Sequence, residues 1–216
     1  MHHRLVVVMG VVAVALGAAS FLGPWWVVNT QGNLLGQVDI NVTSDFGPFS
    51  GTTTTQDSWI CCNPDTTTVV LIDYHNDSST GPVFNAVSWE AILGMLSGAG
   101  MTVVAAVSGL RIFSRRLAPT LGVLAFLFLL SALLSVMLQL PGAAGQDGIV
   151  PGSVSGFWGS SYVTGPHYAG TVTFGAGWAW FAALAAALLF LIAGIVLFRA
   201  KMPSAVQSAR VEPTQS

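Results

Sequence analysis

Few residues of this chain could do chemistry, and most of those crowd into one stretch. Cys61 and Cys62 are adjacent. Adjacent cysteines rarely bridge each other, because the small ring strains the peptide between them. In an oxidising compartment the pair is a candidate thiol site, or a candidate disulfide to another chain. Asp73, His75 and Asp77 alternate and would share one face of a strand. With Cys61, Cys62 and His167 they have the donor types of a copper or zinc site. No second ligand pair at metal-site spacing accompanies them, so solvated loop acids are the simpler reading and no cofactor is assigned. Glu90 is the one carboxylate beside an apolar run, and Trp89 before it suggests headgroup depth. Ser131, Ser135 and Gln139 recur every four residues, which places one polar stripe on a single helix face. Asn41-Val42-Thr43 and Asn76-Asp77-Ser78 are candidate N-glycosylation sequons. There is no Gly-x-Ser-x-Gly, no His-Glu-x-x-His, no Gly-Lys-Ser/Thr phosphate loop and no basic patch. Neither enzymatic activity nor a nucleic-acid partner is expected.

The elements that must position these residues are set by lipid. Only 7% of the 216 residues are charged, against roughly 25% in an average soluble domain. Uncharged apolar runs cover Leu5–Val28, Ala91–Leu110, Leu117–Leu140 and Ala176–Phe198. About 20 helical residues cross a hydrocarbon core of roughly 30 Å, and a helix satisfies its own backbone where lipid cannot. Continuous runs do not fit the alternating pattern of a barrel strand. The fold class expected is an all-α four-helix transmembrane bundle with a small extracytoplasmic β-sheet. Its spans are residues 5–28, 88–110, 117–140 and 176–198. They separate a cytoplasmic N-terminus (1–4), a β-rich outer loop one (29–87), a tight inner loop (111–116), an outer loop two (141–175) and a cytoplasmic tail (199–216).

All 7 basic residues, Arg4, Arg111, Arg115, Arg116, Arg199, Lys201 and Arg210, fall on one side of that layout. The positive-inside rule makes that side cytoplasmic and the protein a multi-pass component of the plasma membrane. The acids mirror this, with Glu212 alone among them inside. All 7 tryptophans lie on the outer half, and five flank spans as an interfacial belt would. Met1–Arg4 with Leu5–Leu16 also fits the start of a signal peptide, with Ala18-Ala19-Ser20 as the cleavage region. The apolar run continues to Trp25-Trp26, longer than such a region needs, so it is read as a retained span. Cleavage would leave three spans in the same orientation.

In loop one, Gln37–Val42 and Thr66–Tyr74 read as strands, with turns at Gly47-Pro48 and Asn63-Pro64. Gly170–Phe174 in loop two could add a strand to the same sheet. Span two carries the small-xxx-small pairs Gly94/Gly98 and Ala105/Gly109, which let helix backbones approach closely.

The layout resembles the claudin and peripheral-myelin-protein group of tetraspan proteins. Trp59 followed by Cys61 and Cys62 is similar to that group's Gly-Leu-Trp-x-x-Cys-x(8–10)-Cys signature, and Gly177-Trp178 before an Ala-rich fourth span resembles the group's fourth-span start. Asp57-Ser58 replaces Gly-Leu and the cysteines are not spaced, so the group's loop disulfide does not carry over. The resemblance implies an outer sheet drawing on both loops and a role in contacts between membrane proteins.

The function expected is a non-enzymatic membrane scaffold. Its partners are the lipid bilayer and either another copy of itself or another membrane protein. Trp59, Phe157, Trp158 and Tyr162 are the candidate anchors of such contacts. The alternatives are a channel or transporter subunit built on the Ser131/Ser135/Gln139 stripe, and an accessory subunit of a membrane enzyme complex.

Overall fold

Glycine and proline decide where the first helix stops. The computed structural model describes residues 2–34, 36–59, 65–72, 74, 78–107, 114–150, 154 and 156–199, and of residues 2, 3, 114 and 115 the backbone only. Helix α1 (His2–Ser20) ends in a turn in which the Phe21 and Leu22 amides donate to the carbonyls of Ala18 and Ala19. Gly23-Pro24 then breaks the helix, and the β-prone run Trp26-Val27-Val28 begins strand β1 (Trp26–Leu34). The first span therefore does not continue to Val28 as the apolar run suggested. Hydropathy alone cannot separate a helix from a buried strand that follows it directly.

A meander follows. Gly36, at φ +70°, takes the left-handed turn position that joins β1 to β2 (Val38–Phe46). Next come β3 (Gly51–Trp59) and β4 (Thr66–Ile72). Helix α2 (Thr80–Val107) starts well before residue 88. The Ser78 hydroxyl accepts the Gly81 amide at 3.0 Å, and Pro82 lies in the first turn, where its missing N–H costs nothing. Helix α3 (Ser114–Gln146) runs on past Pro141. An interior proline costs about 3 kcal/mol, but the extension buries Ala143 and Ala144, and the Ala144 carbonyl accepts the Ile149 amide at 3.0 Å. Strands β5 (Gly159–Thr164) and β6 (Tyr168–Ala176) precede α4 (Trp178–Arg199).

All six strands form one antiparallel sheet in the order β4-β3-β2-β1-β6-β5. The second loop thus joins the sheet of the first through β6 beside β1, as the strand pattern at Gly170–Phe174 suggested, and it brings β5 as well. Because α1 feeds β1 and β6 feeds α4, the central strand pair fixes these two helices as neighbours. Cross-links seal the junction: the Gly177 amide donates to Trp25 and the Ala179 amide to Pro24, at 3.1 and 3.2 Å.

The four helices pack together antiparallel, each against its sequence neighbours, and α1 against α4. Thr80–Val107, Arg116–Gln146 and Trp178–Arg199 are long and apolar enough to cross a membrane, and Arg4–Ser20 is a shorter apolar helix. By helix length and hydropathy this is a multi-pass membrane protein. Between bundle and sheet lies an aromatic layer. Trp25 and Trp26 are fully buried there, with Phe46, Phe84 and Phe157. Trp26 packs on Phe46 with centroids 5.1 Å apart, and Tyr74 stacks on Phe84 at 3.6 Å. Trp25 and Trp26 are therefore core residues and not part of an interfacial belt, whereas Trp89 and Trp178 are exposed as a belt requires.

Candidate interaction surface

Strand alternation gives the sheet two unlike faces. Trp26, Val28, Val38, Phe46, Val172 and Phe174 point toward the aromatic layer and are buried. The opposite face is polar. The registers align Thr171, Gln31, Asn41, Gln56 and Thr67 into one row across five strands. Asn41, the first sequon asparagine, is thus a mid-sheet residue rather than a loop residue, and its Oδ1 is buried without a hydrogen-bond partner. On the same face partial burial pushes the Asp45 carboxyl above its ordinary range.

Strand β4 breaks this two-faced pattern. Among the described residues it is an edge strand, paired on one side only, to β3. Val69, Val70 and Leu71 are 61, 57 and 75% exposed, so both of its faces are open. An apolar edge strand carries a row of unpaired backbone donors and acceptors, and natural proteins shorten, charge or cover such edges. No charged residue lies within Thr66–Ile72. The sequence marks this strand by its β-branched run. The further signal, four aliphatic residues in succession where a half-buried strand would alternate, points to an uncovered edge only once the strand order is known.

The candidate contact aromatics divide. Trp59, Trp158 and Tyr162 are 41, 50 and 67% exposed, but Phe157 is only 4% exposed. Its carbonyl accepts the Trp26 indole N–H at 2.9 Å, and its ring stacks near Trp26 and meets Trp158 edge-on at 4.5 Å. Phe157 is therefore a clasp holding loop two onto the sheet, and it offers no surface to a partner. Cys61, Cys62, Asp73, His75, Asn76 and Asp77 lie outside the described residues, so the thiol pair, the second sequon and most of the candidate metal ligands have no placement here. His167 is exposed in the turn between β5 and β6.

Inside the bundle, Ser131 donates to Glu90 Oε1 at 2.9 Å, which ties α3 to α2. The expected polar stripe does not continue inward from there. Ser135 is half-buried and Gln139 exposed, because Leu129, Leu133, Val136 and Leu140 occupy the packed face instead. Of the small-residue pairs, Gly94 lies against Leu129, where a Cβ would come within 3.1 Å of the Leu129 backbone nitrogen. Gly98 receives the Phe190 ring, and Ala105 is fully buried. Gly109 lies outside the described residues. Gly94 thus lies where α2 and α3 approach closely, whereas Gly98 is a socket for an aromatic side chain.

Asp147, one of the acids expected on the outer side, has a defined structural task. Asp147 follows α3 and accepts the backbone amides of Ser79 and Thr80 at 2.7 and 2.8 Å, at the start of α2. Desolvation raises its carboxyl, but these amides and the hydroxyls of Thr80 and Ser79 outweigh that, and its pKa lies below the ordinary value. No known protein family matches the chain, and no curated protein is similar to it.

Proposed function

We propose that this protein is a non-enzymatic membrane scaffold whose sheet binds a second copy of itself through the β4 edge. The observation that carries the reading is the uncharged, two-face-exposed apolar strand Thr66–Ile72. Pairing two such edges would satisfy both rows of backbone groups and cover Val69, Val70 and Leu71 together. Trp59 lies on the adjacent strand and would flank the contact. The six-stranded sheet drawing on both loops above four helices also supports a claudin-like relationship. Arg4, Arg116 and Arg199 at the end of the bundle remote from the sheet support, by the positive-inside rule, an orientation with the sheet outside a cytoplasmic membrane. The channel alternative draws no support from the bundle, where Gln139 faces outward and Phe190, Met101 and Leu133 fill the centre.

The test is the native mass of purified protein in mild detergent, wild type against V69K/L71K. Both positions are exposed, so the double substitution should leave the fold intact while charge prevents edge pairing. A dimer reduced to monomer by V69K/L71K is the expected result. An unchanged mass distribution, or a wild type monomeric at every concentration, overturns the proposal.

A further inference from the structure

At the end of the bundle away from the sheet, α3 and α4 enclose a groove of about 810 Å³, within the roughly 300–1,000 Å³ typical of small-ligand sites. Its origin is local. Gly122 and Gly194 bring the two backbones together: a Cβ on Gly122 would lie 2.9 Å from the Phe190 carbonyl oxygen and 3.2 Å from Gly194 Cα. Gly194 also presents no side chain to the groove, and Pro119 lies opposite it. The walls are apolar and open toward the bundle exterior, with Val123, Leu124, Ile195 and Phe198 all exposed.

Two of the lining residues are basic. Arg116 and Arg199 line the same groove, and they directly flank the uncharged apolar runs of the two helices that form it. Both therefore lie at the depth where hydrocarbon meets headgroups. Among the described residues none that lines the groove is acidic. Two guanidinium groups at the mouth of an apolar slot match an amphiphile with an anionic head and a hydrocarbon tail. Arginine suits the head group well, because its planar fork bonds phosphate oxygens in pairs. Basic pockets between spans are a recognised means of holding anionic lipid.

We infer that this groove is a binding site for one anionic phospholipid, its phosphate between Arg116 and Arg199 and an acyl chain along Val123, Leu124 and Ile195. The lipid completes the lateral surface where Gly194 leaves it hollow, and it bridges the ends of α3 and α4. The inference rests on the membrane-spanning character of the chain and is independent of the β4 edge.

The experiment is native mass spectrometry of the full chain in detergent, titrated with phosphatidylglycerol or with phosphatidylcholine of the same acyl chains. One phosphatidylglycerol should remain bound per chain, preferred over phosphatidylcholine. R116Q and R199Q are exposed substitutions and should each weaken that binding about fivefold, the effect of one basic residue beside anionic lipid, and together about 25-fold. V123W should fill the slot and weaken phosphatidylglycerol binding while leaving the arginines in place. Equal retention of the two lipids overturns the inference, as does undiminished binding by V123W. So does competition by inorganic phosphate alone, which would make the site one for a free anion, or a V123W-sensitive dimer without lipid preference, which would make the groove a contact between copies.

Discussion

Replacing Gly98 with alanine tests the bundle most directly. Gly98 faces Phe190, which is fully buried. A Cβ at position 98 would lie 2.5 Å from Phe190 Cε1 and from Cε2, well inside van der Waals contact. The ring is fully buried, so it cannot step aside without displacing its own packed neighbours. Overpacking of this kind costs about 1–3 kcal/mol, and the enclosed ring places G98A in the upper part of that range. Alanine returns up to about 1 kcal/mol through helix propensity, so a net destabilisation remains. F190L removes the obstructing ring edge and carries its own cost, part of the roughly 3–5 kcal/mol of a full truncation to alanine. In that background G98A should be neutral or slightly stabilising. The coupling energy of the cycle should then be about 1–3 kcal/mol, beyond the roughly 0.3–0.5 kcal/mol scatter of independent sites. Gly142 is the control: it is helical and exposed, a Cβ there meets nothing within 4 Å, and G142A should not destabilise. Reversible unfolding in mixed detergent micelles, followed by tryptophan fluorescence, measures all four variants against wild type. Equal costs for G98A with Phe190 and with Leu at 190 would refute the socket.

Two further substitutions probe the sheet and its attachments. W26F should cost about 1–3 kcal/mol by leaving the buried Phe157 carbonyl without its donor, and W26A about 3–5 kcal/mol; hydrogen exchange should rise first in β5, and protection there equal to wild type would count against the clasp. D147N removes a carboxylate whose folded-state pKa lies below the ordinary 3.8, so the stability it supplies is complete above that value and lost as pH falls through the folded-state one. The difference in stability between wild type and D147N should therefore be flat at neutral pH and shrink only in strong acid, and a difference that changes instead between pH 6 and 8 would show another group at work.

Helices were the legible part of this sequence, and their ends were not. Charge scarcity and run length identify α2, α3 and α4 because lipid permits few alternatives to a helix. The same hydropathy hides β1, since Trp26, Val27 and Val28 are as apolar as the helix before them and are buried for a different reason, under an aromatic layer. Pro141 reads locally as a stop, yet α3 continues because Ala143 and Ala144 are packed and Asp147 is anchored to α2, contacts distant in sequence. The Thr52–Thr55 run is β-branched but carries no apolar alternation, so β3 is not legible between the two strands expected in loop one, and its place between β2 and β4 comes from strand order. Phe157 shows the limit at the surface. An aromatic residue in a glycine-rich loop fits a contact anchor or a clasp equally well until Trp26 is seen beneath it.

The central strand pair has a consequence for how the protein is made. The Thr173 hydroxyl in β6 donates to the Asn29 carbonyl in β1, a partner 144 residues earlier in the chain. At roughly 5–20 residues per second, β1 waits about 7–30 s after its own synthesis before β6 exists. Throughout that interval the meander has a bare edge at β1 as well as at β4, and α1 has left the ribosome without α4, one of the two helices it finally lies against. The nascent protein is thus most prone to mispairing before its last helix is inserted. Closure of β6 onto β1 and docking of α4 onto α1 become one late event, so a chain truncated within α4 risks losing the join between its sheet halves along with a helix.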